Sequence, residues 1–113
     1  MIKIYHNPRC RKSREALQIL SESGREFTVV EYIKNPLTME DISDLLVRLN
    51  IKPVHLIRKN EKIFKEEFRG LEFSDEEWIK VLSEQPKLIE RPIVVNGHKA
   101  VIARPPEKVR DVL

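Results

Sequence analysis

Three observations predict an α/β fold. The alternating apolar run Met1-Ile2-Lys3-Ile4-Tyr5 leads directly into Ala16, Leu17, Ile19 and Leu20, spaced as one face of a helix, and then into the β-branched, aromatic run Phe27-Thr28-Val29-Val30-Glu31-Tyr32. The middle of the chain keeps a helical period throughout. Near the C-terminus the character returns to two short β runs around Asn96-Gly97, followed by a proline-led helix start.

The first helix is expected from about Cys10 to Ser23, with Gly24 as its stop because a left-handed conformation costs glycine little. A helical crossover of this length normally returns right-handed into the same sheet, so the two flanking strands are parallel. Asn35-Pro36 breaks the pattern. Thr38 then reads as an N-cap, with Glu40 and Asp41 in the first turn of a helix that carries Ile42, Leu45, Leu46 and Leu49 and ends near Asn50. Pro53 opens a short helix through Ile57, with Arg58-Lys59-Asn60 at its exit. Phe64 and Phe68 share a further turn that Gly70 ends. Ser74 followed by Glu77 is a capping-box pattern for a helix turning Trp78, Ile79, Val81 and Leu82 inward.

Ile93-Val94-Val95 and Ala100-Val101-Ile102 read as a hairpin connected by Asn96-Gly97-His98-Lys99, since Asn-Gly is a strong turn signal. Pro105-Pro106-Glu107 opens the last helix, with Val109, Val112 and Leu113 facing the core. The order β-α-β, helical block, β-hairpin, α is that of a thioredoxin-like fold with a four-stranded mixed sheet. The chain is expected to be one domain spanning residues 1–113, with a helical insertion at about 37–85.

Composition narrows the function classes. The 113 residues suffice for one modest core, and 41% hydrophobic with 35% charged residues describes an ordinary soluble domain. A net charge of +3, with acidic residues mixed evenly among the basic ones, argues against nucleic acid as a partner. No run approaches the roughly 20 apolar residues of a membrane span, and Lys3 and His6 interrupt the N-terminal apolar run, so no membrane association and a cytoplasmic location are expected. The single cysteine excludes an internal disulfide and suits a reducing compartment. No metal-ligand spacing is present, and no bound cofactor is expected.

That cysteine, Cys10, lies in Tyr5-His6-Asn7-Pro8-Arg9-Cys10-Arg11-Lys12-Ser13-Arg14. It falls at the first helical turn, where free N–H groups and the positive end of the dipole favour thiolate over thiol. A free cysteine is often a small buried hydrophobe, but an Asn-Pro loop dense in arginine is a poor place to bury one. Cations in a first turn oppose the dipole, so Arg9, Arg11, Lys12 and Arg14 together anticipate an anion. The spacing Cys10-Arg11-Lys12-Ser13 is a Cys-x-x-Cys pattern with serine in the second place. With no resolving thiol of its own, any adduct on Cys10 needs an external thiol, glutathione or a small thiol protein. Ser13 either donates to the Cys10 sulfur or is a helix-surface serine. His6 is a general acid or base, an orienter of the loop, or exposed; a supporting role toward Cys10 is the favoured one. His55 and His98 look ordinary.

Taken together, His6-Asn7-Pro8-x-Cys10-x-x-Ser13-Arg14, Leu56-Ile57-Arg58-Lys59-Asn60, Glu90-Arg91-Pro92-Ile93-Val94-Val95 and Ala103-Arg104-Pro105 resemble the glutaredoxin-dependent arsenate reductase family, which shares its fold with the Spx-type regulators. The resemblance covers the whole chain in order. It implies Cys10 as nucleophile with His6 and Ser13 beside it in the catalytic set, Arg58, Arg91 and Arg104 as ligands of an oxyanion, and Asn7, Arg14 and Pro92 in support, Pro92 as a cis-proline near the cysteine. Without it, Arg58 and Arg104 read as solvated charges at element ends. Guanidinium forks suit a tetrahedral oxyanion through bidentate, charge-assisted hydrogen bonds. The implied partners are arsenate or a similar oxyanion, glutathione as external reductant, and glutaredoxin. Two alternatives stand beside arsenate reduction: a general monothiol redox protein, and an Spx-like regulator that binds RNA polymerase, which the loss of the two-cysteine switch at Ser13 disfavours.

Overall fold

A computed structural model describes all residues, Met1–Leu113. The chain forms two compact units, Met1–Asn35 together with Arg91–Leu113, and Pro36–Glu90.

The first unit is built on four strands, β1 (Ile2–Tyr5), β2 (Phe27–Val30), β3 (Ile93–Asn96) and β4 (Lys99–Ile102), in the order β2-β1-β3-β4. β1 runs parallel to β2 and antiparallel to β3, and β3 is antiparallel to β4. The sheet is therefore mixed, as the β-α-β and hairpin halves require. Helix α1 (Arg11–Glu22) crosses between β1 and β2 and turns Ser13, Ala16 and Leu20 inward. Those last two join Ile2, Ile4, Val94, Ala103, Val109 and Val112 in one apolar core. Ser23 caps the helix with N–H bonds to Ile19 and Leu20, and Gly24 follows at φ +75°, the left-handed geometry that glycine accepts without a Cβ penalty.

Three sequence expectations shift here. The expected four-residue connection Asn96-Gly97-His98-Lys99 tightens to a two-residue turn, Gly97-His98, because Asn96 still pairs with Lys99 across the strands. Gly97 has φ +63° and His98 does not enter the positive region, so glycine occupies the first central position as in a II′ turn. Asn96 is thereby free to donate its side-chain N–H to the carbonyl of Val112 at 2.7 Å, which ties the hairpin to the C-terminus. The last helix is a 3-10 helix over Pro106–Val112 closed by i→i+3 bonds such as Lys108 N–H to Pro105. Its Val109 and Val112 are buried, while Leu113 is exposed.

The second unit contains α2 (Met39–Leu49), a 3-10 turn at Pro53–Leu56, α3 (Lys62–Glu67), α4 (Asp75–Glu84) and a second 3-10 turn at Pro86–Leu88. Both expected caps form as full capping boxes, Thr38 with Asp41 and Ser74 with Glu77. Asn50 ends α2 at φ 55°, a left-handed position that asparagine tolerates. Ile42, Leu45, Leu46, Leu56, Phe64, Trp78, Val81 and Leu82 are buried, whereas Ile79, expected inward, is only half-buried. Trp78 gathers Phe64, Phe68 and Phe73 around it at centroid distances of 6.3, 6.2 and 4.7 Å. No helix is long and apolar enough to cross a membrane.

Candidate active site

Strand register decides which loops meet. Tyr5 stands opposite Ile93, and Ile93 opposite Ile102. The chain leaving β1, the chain entering β3 and the chain leaving β4 therefore share one end of the sheet. They carry Cys10, Arg91 and Arg104 respectively. Val30 closes β2 at the same end, so Glu31 also begins there.

The loop after β1 is closed on itself by hydrogen bonds. His6 extends the ladder with its N–H to Val30 at 2.9 Å, and Cys10 N–H bonds the Asn7 carbonyl at 2.9 Å. The Asn7 side-chain oxygen accepts from Arg9 N–H at 3.0 Å, and an Arg14 guanidinium N–H reaches the Pro8 carbonyl at 2.9 Å. At its centre sits the Ser13 hydroxyl, fully buried, accepting from Asn7 N–H at 3.0 Å and sharing a 2.6 Å hydrogen bond with Nδ1 of buried His6. Ser13 is not on the helix surface: its hydroxyl is buried against His6 and Asn7, and it is the Ser13 backbone N–H that acts on the Cys10 sulfur. Asn7 and Arg14 support the loop, and His6 orients it through Ser13.

Cys10 is the N-cap of α1, with extended backbone at φ −92°, ψ 121°, and is half-buried. Burial alone pushes its thiol pKa up. The backbone N–H of Ser13, the Arg91 guanidinium as hydrogen-bond donor and as charge, and the backbone N–H of Lys12 together outweigh burial and hold it below the ordinary cysteine value. The shift of His6 is also downward, first by burial and then by the Arg14 charge, against the opposing pull of Glu31 and of its contact with Ser13. A neutral imidazole at pH 7 follows, so His6 contributes geometry at this site and not positive charge.

The two arginines of this unit are linked. Arg104 donates from its guanidinium to the Arg91 carbonyl at 2.8 Å, and Ala103 N–H bonds the Pro92 carbonyl at 2.8 Å. Arg91-Pro92 and Arg104-Pro105 are both cis peptide bonds, the first as the resemblance implied. Arg104 thus braces the residue whose guanidinium acts on the sulfur. Of the basic cluster, Arg11 and Lys12 turn to Glu15, at 3.6 and 3.9 Å, so less of this charge awaits an external anion than the sequence suggested.

Arg58 belongs to the helical unit. Its side chain is mostly buried and pairs with Glu90 at 3.5 Å, while Ile57 and Ile89 bridge antiparallel beside it. Sequence reasoning overlooked three acids: Glu15, Glu31 and Glu90. Glu15 was legible, lying four residues after Arg11 and three after Lys12 on a helix. Glu90 meets Arg58 only through the bridge register, and Glu31, which also pairs locally with Lys34 at 3.7 Å, acts on His6 through the alignment of β2 beside β1. No three His, Cys, Asp or Glu side chains converge as a metal site.

Residues 5–112 match the ArsC family. The chain belongs to that family. Among its relatives, the Escherichia coli K12 protein YfgD is 44% identical, with 99% of this chain and 96% of that one aligned. The arsenate reductase of Haemophilus influenzae is 38% identical over 97% of both chains. The solved structure of an arsenate reductase from Vibrio cholerae superposes with a TM-score of 0.94 at 38% identity, covering 99% of this chain and 97% of that one. The fold expected from the sequence, thioredoxin-like with a four-stranded mixed sheet, is the family's fold.

Proposed function

We propose that this protein is a cytoplasmic arsenate reductase that turns over through a Cys10 adduct, with glutathione as external reductant and glutaredoxin as the partner that regenerates it. The observation that carries this reading is a depressed thiol at the start of α1 with the Arg91 guanidinium acting on it and Arg104 bracing Arg91. The arsenate reductases among its relatives support the choice of oxyanion.

In the proposed reaction, arsenate binds through Arg91 and Arg104, and the family resemblance implies an oxyanion-ligand role for Arg58 as well. The Cys10 thiolate attacks arsenic, an S–As bond forms, and an oxygen leaves as water after protonation. The arginines offset charge building on the remaining oxygens. Glutathione thiolate then attacks the Cys10 sulfur. An S–S bond forms, the S–As pair passes to arsenic, and arsenic(V) becomes arsenic(III), released as arsenite while the two thiols are oxidised to a mixed disulfide. Glutaredoxin takes the glutathione and frees the Cys10 thiolate. His6 and Ser13 hold the loop in place, and the electrons that reduce arsenic come from the Cys10 and glutathione sulfurs.

The test is arsenite formation from arsenate with glutathione and glutaredoxin, in wild type, Cys10→Ser and Arg91→Ala. Turnover lost in the first variant and strongly reduced in the second is the expected result. Undiminished turnover in Cys10→Ser would sink the mechanism. Wild-type exchange on small disulfides without any arsenite would replace it with the general monothiol reading.

A further inference from the structure

Arg58 is poorly satisfied for a cation so little exposed. The Ile57–Ile89 pair is an isolated antiparallel bridge, and Leu56 and Leu88, which precede the paired residues, are fully buried. The Arg58 side chain is 14% exposed, its one ion pair is with Glu90 at 3.5 Å, and its Nε is shut from solvent with no acceptor. A guanidinium carries five N–H donors in a planar fork, and a donor left unmatched in a buried place marks room for an acceptor. Glu90 is the more solvent-accessible partner, at 29%. Main-chain bonds hold both residues whatever their side chains do: Arg58 N–H to Leu88 at 2.7 Å and Glu90 N–H to Leu56 at 2.8 Å. The Glu90 carboxylate can therefore leave for water without disturbing the bridge.

We propose that Glu90 is the resident counter-anion of Arg58, a carboxylate that an incoming tetrahedral oxyanion displaces, so that Glu90 sets both the affinity for the anion and the kind of anion accepted. The inference rests on the reading of Arg58 as an oxyanion ligand. A monoanion such as nitrate offers no more charge than the carboxylate it must replace. A doubly charged tetrahedral anion offers more charge and more acceptor oxygens, including one for the unmatched Nε. The ion pair thereby selects arsenate-like dianions over the singly charged anions that abound in solution.

The experiment uses sulfate, a stable tetrahedral dianion, as the probe. The protein, labelled with nitrogen-15, is titrated while the backbone amide resonances around residue 58 are followed in wild type, Glu90→Gln, Arg58→Gln, the double variant, and Glu66→Gln as a control for net charge, together with the Arg58 Nε–H resonance wherever Arg58 is present. Sulfate should move the Arg58 resonance in wild type. Glu90→Gln should tighten sulfate about three- to tenfold and bring nitrate closer to it, with no gain in Glu66→Gln and none from adding Glu90→Gln to Arg58→Gln. Unchanged or weaker sulfate affinity in Glu90→Gln overturns the proposal, as does an equal gain in the control or in the Arg58→Gln background. Should Glu90→Gln lose its native amide spectrum, Glu90→Asp keeps the charge but withdraws it and should tighten sulfate about twofold; no gain there overturns the proposal equally. Arsenate turnover, measured in parallel, separates the two ideas. Turnover with no tighter sulfate binding removes the role of Glu90 alone, and tighter sulfate binding without turnover removes the arsenate reading alone.

Discussion

Helices α2 and α4 start alike, and α1 starts differently. Thr38 and Ser74 each accept a hydrogen bond at the third helical N–H, and Asp41 and Glu77 answer with a bond back to the cap residue's N–H. Both first turns are acidic. At α1 the cap position holds Cys10, which forms no full capping bond, and the first turn contains no acid. Helix starts favour negative charge, so α2 and α4 carry their own while α1 supplies a thiol that becomes negative when ionised. The difference separates helix starts made for stability from one made for chemistry.

The largest expected effect comes from giving α1 the start its neighbours have. Cys10→Asp places a permanent carboxylate at the N-cap, which should raise unfolding stability by about 0.5–2 kcal/mol and reduce arsenite formation to background. Thermal or denaturant unfolding read beside turnover checks both halves. A stabilised variant with activity intact would mean that the sulfur is not the nucleophile.

Removing the charge delivered by the fold comes next. Arg91→Gln should raise the pH midpoint of Cys10 alkylation by iodoacetamide, lowering the thiolate fraction at neutral pH by about tenfold if one pKa unit is lost. Arg104→Gln should act in the same direction but less, because Arg104 reaches the sulfur through the Arg91 carbonyl. Stability carries the same sign. A thiol whose folded pKa is depressed contributes stability that is fully present above its unfolded value, about 8.5, and is lost as pH falls through the folded value. The stability of wild type relative to Cys10→Ser should therefore rise with pH across that window, and Arg91→Gln should flatten the rise.

The caps made for stability should show the reverse profile. Thr38→Ala and Ser74→Ala should each cost about 1 kcal/mol of stability, with the alkylation midpoint of Cys10 unmoved. Chemical denaturation and the same alkylation assay decide it. A shifted thiol midpoint in either variant would show that the two kinds of helix start are not independent.

How much of this was legible depended on the range over which each feature is encoded. The capping boxes are local, three residues apart, and Thr38 and Ser74 were read correctly from their own neighbours. The strands were legible from Val, Ile and Thr content. The hairpin was legible from its Asn-Gly pair, but its connection is two residues long and not four, since only the pairing of Asn96 with Lys99 carries the strands that far. Cys10 stood out from its position and surroundings, but the direction of the Ser13 hydroxyl did not, because a buried partner at His6 is set by the path of the loop. Arg104 entered through the family resemblance alone, and Arg91 through it together with its place before Pro92 at the start of a strand. Nothing in their own segments says that strand register brings both to the end of the sheet where Cys10 lies.

The smallest expected effect tests whether charge near in sequence or charge delivered by the fold depresses the thiol. Arg11 is adjacent to Cys10, yet its side chain is 84% exposed and turned toward Glu15. Arg91 is distant in sequence and acts directly on the sulfur. Arg11→Gln removes the same unit charge as Arg91→Gln. It relieves a cation opposed to the helix dipole and breaks an exposed pair of little worth, so stability should barely change. The alkylation midpoint should stay close to wild type, because an exposed charge pointing away from the sulfur is screened by water and already answered by Glu15. A midpoint shift as large as that of Arg91→Gln would assign the thiolate to the basic cluster of the loop. A negligible one assigns it to the backbone N–H groups and the guanidinium that the sheet brings there.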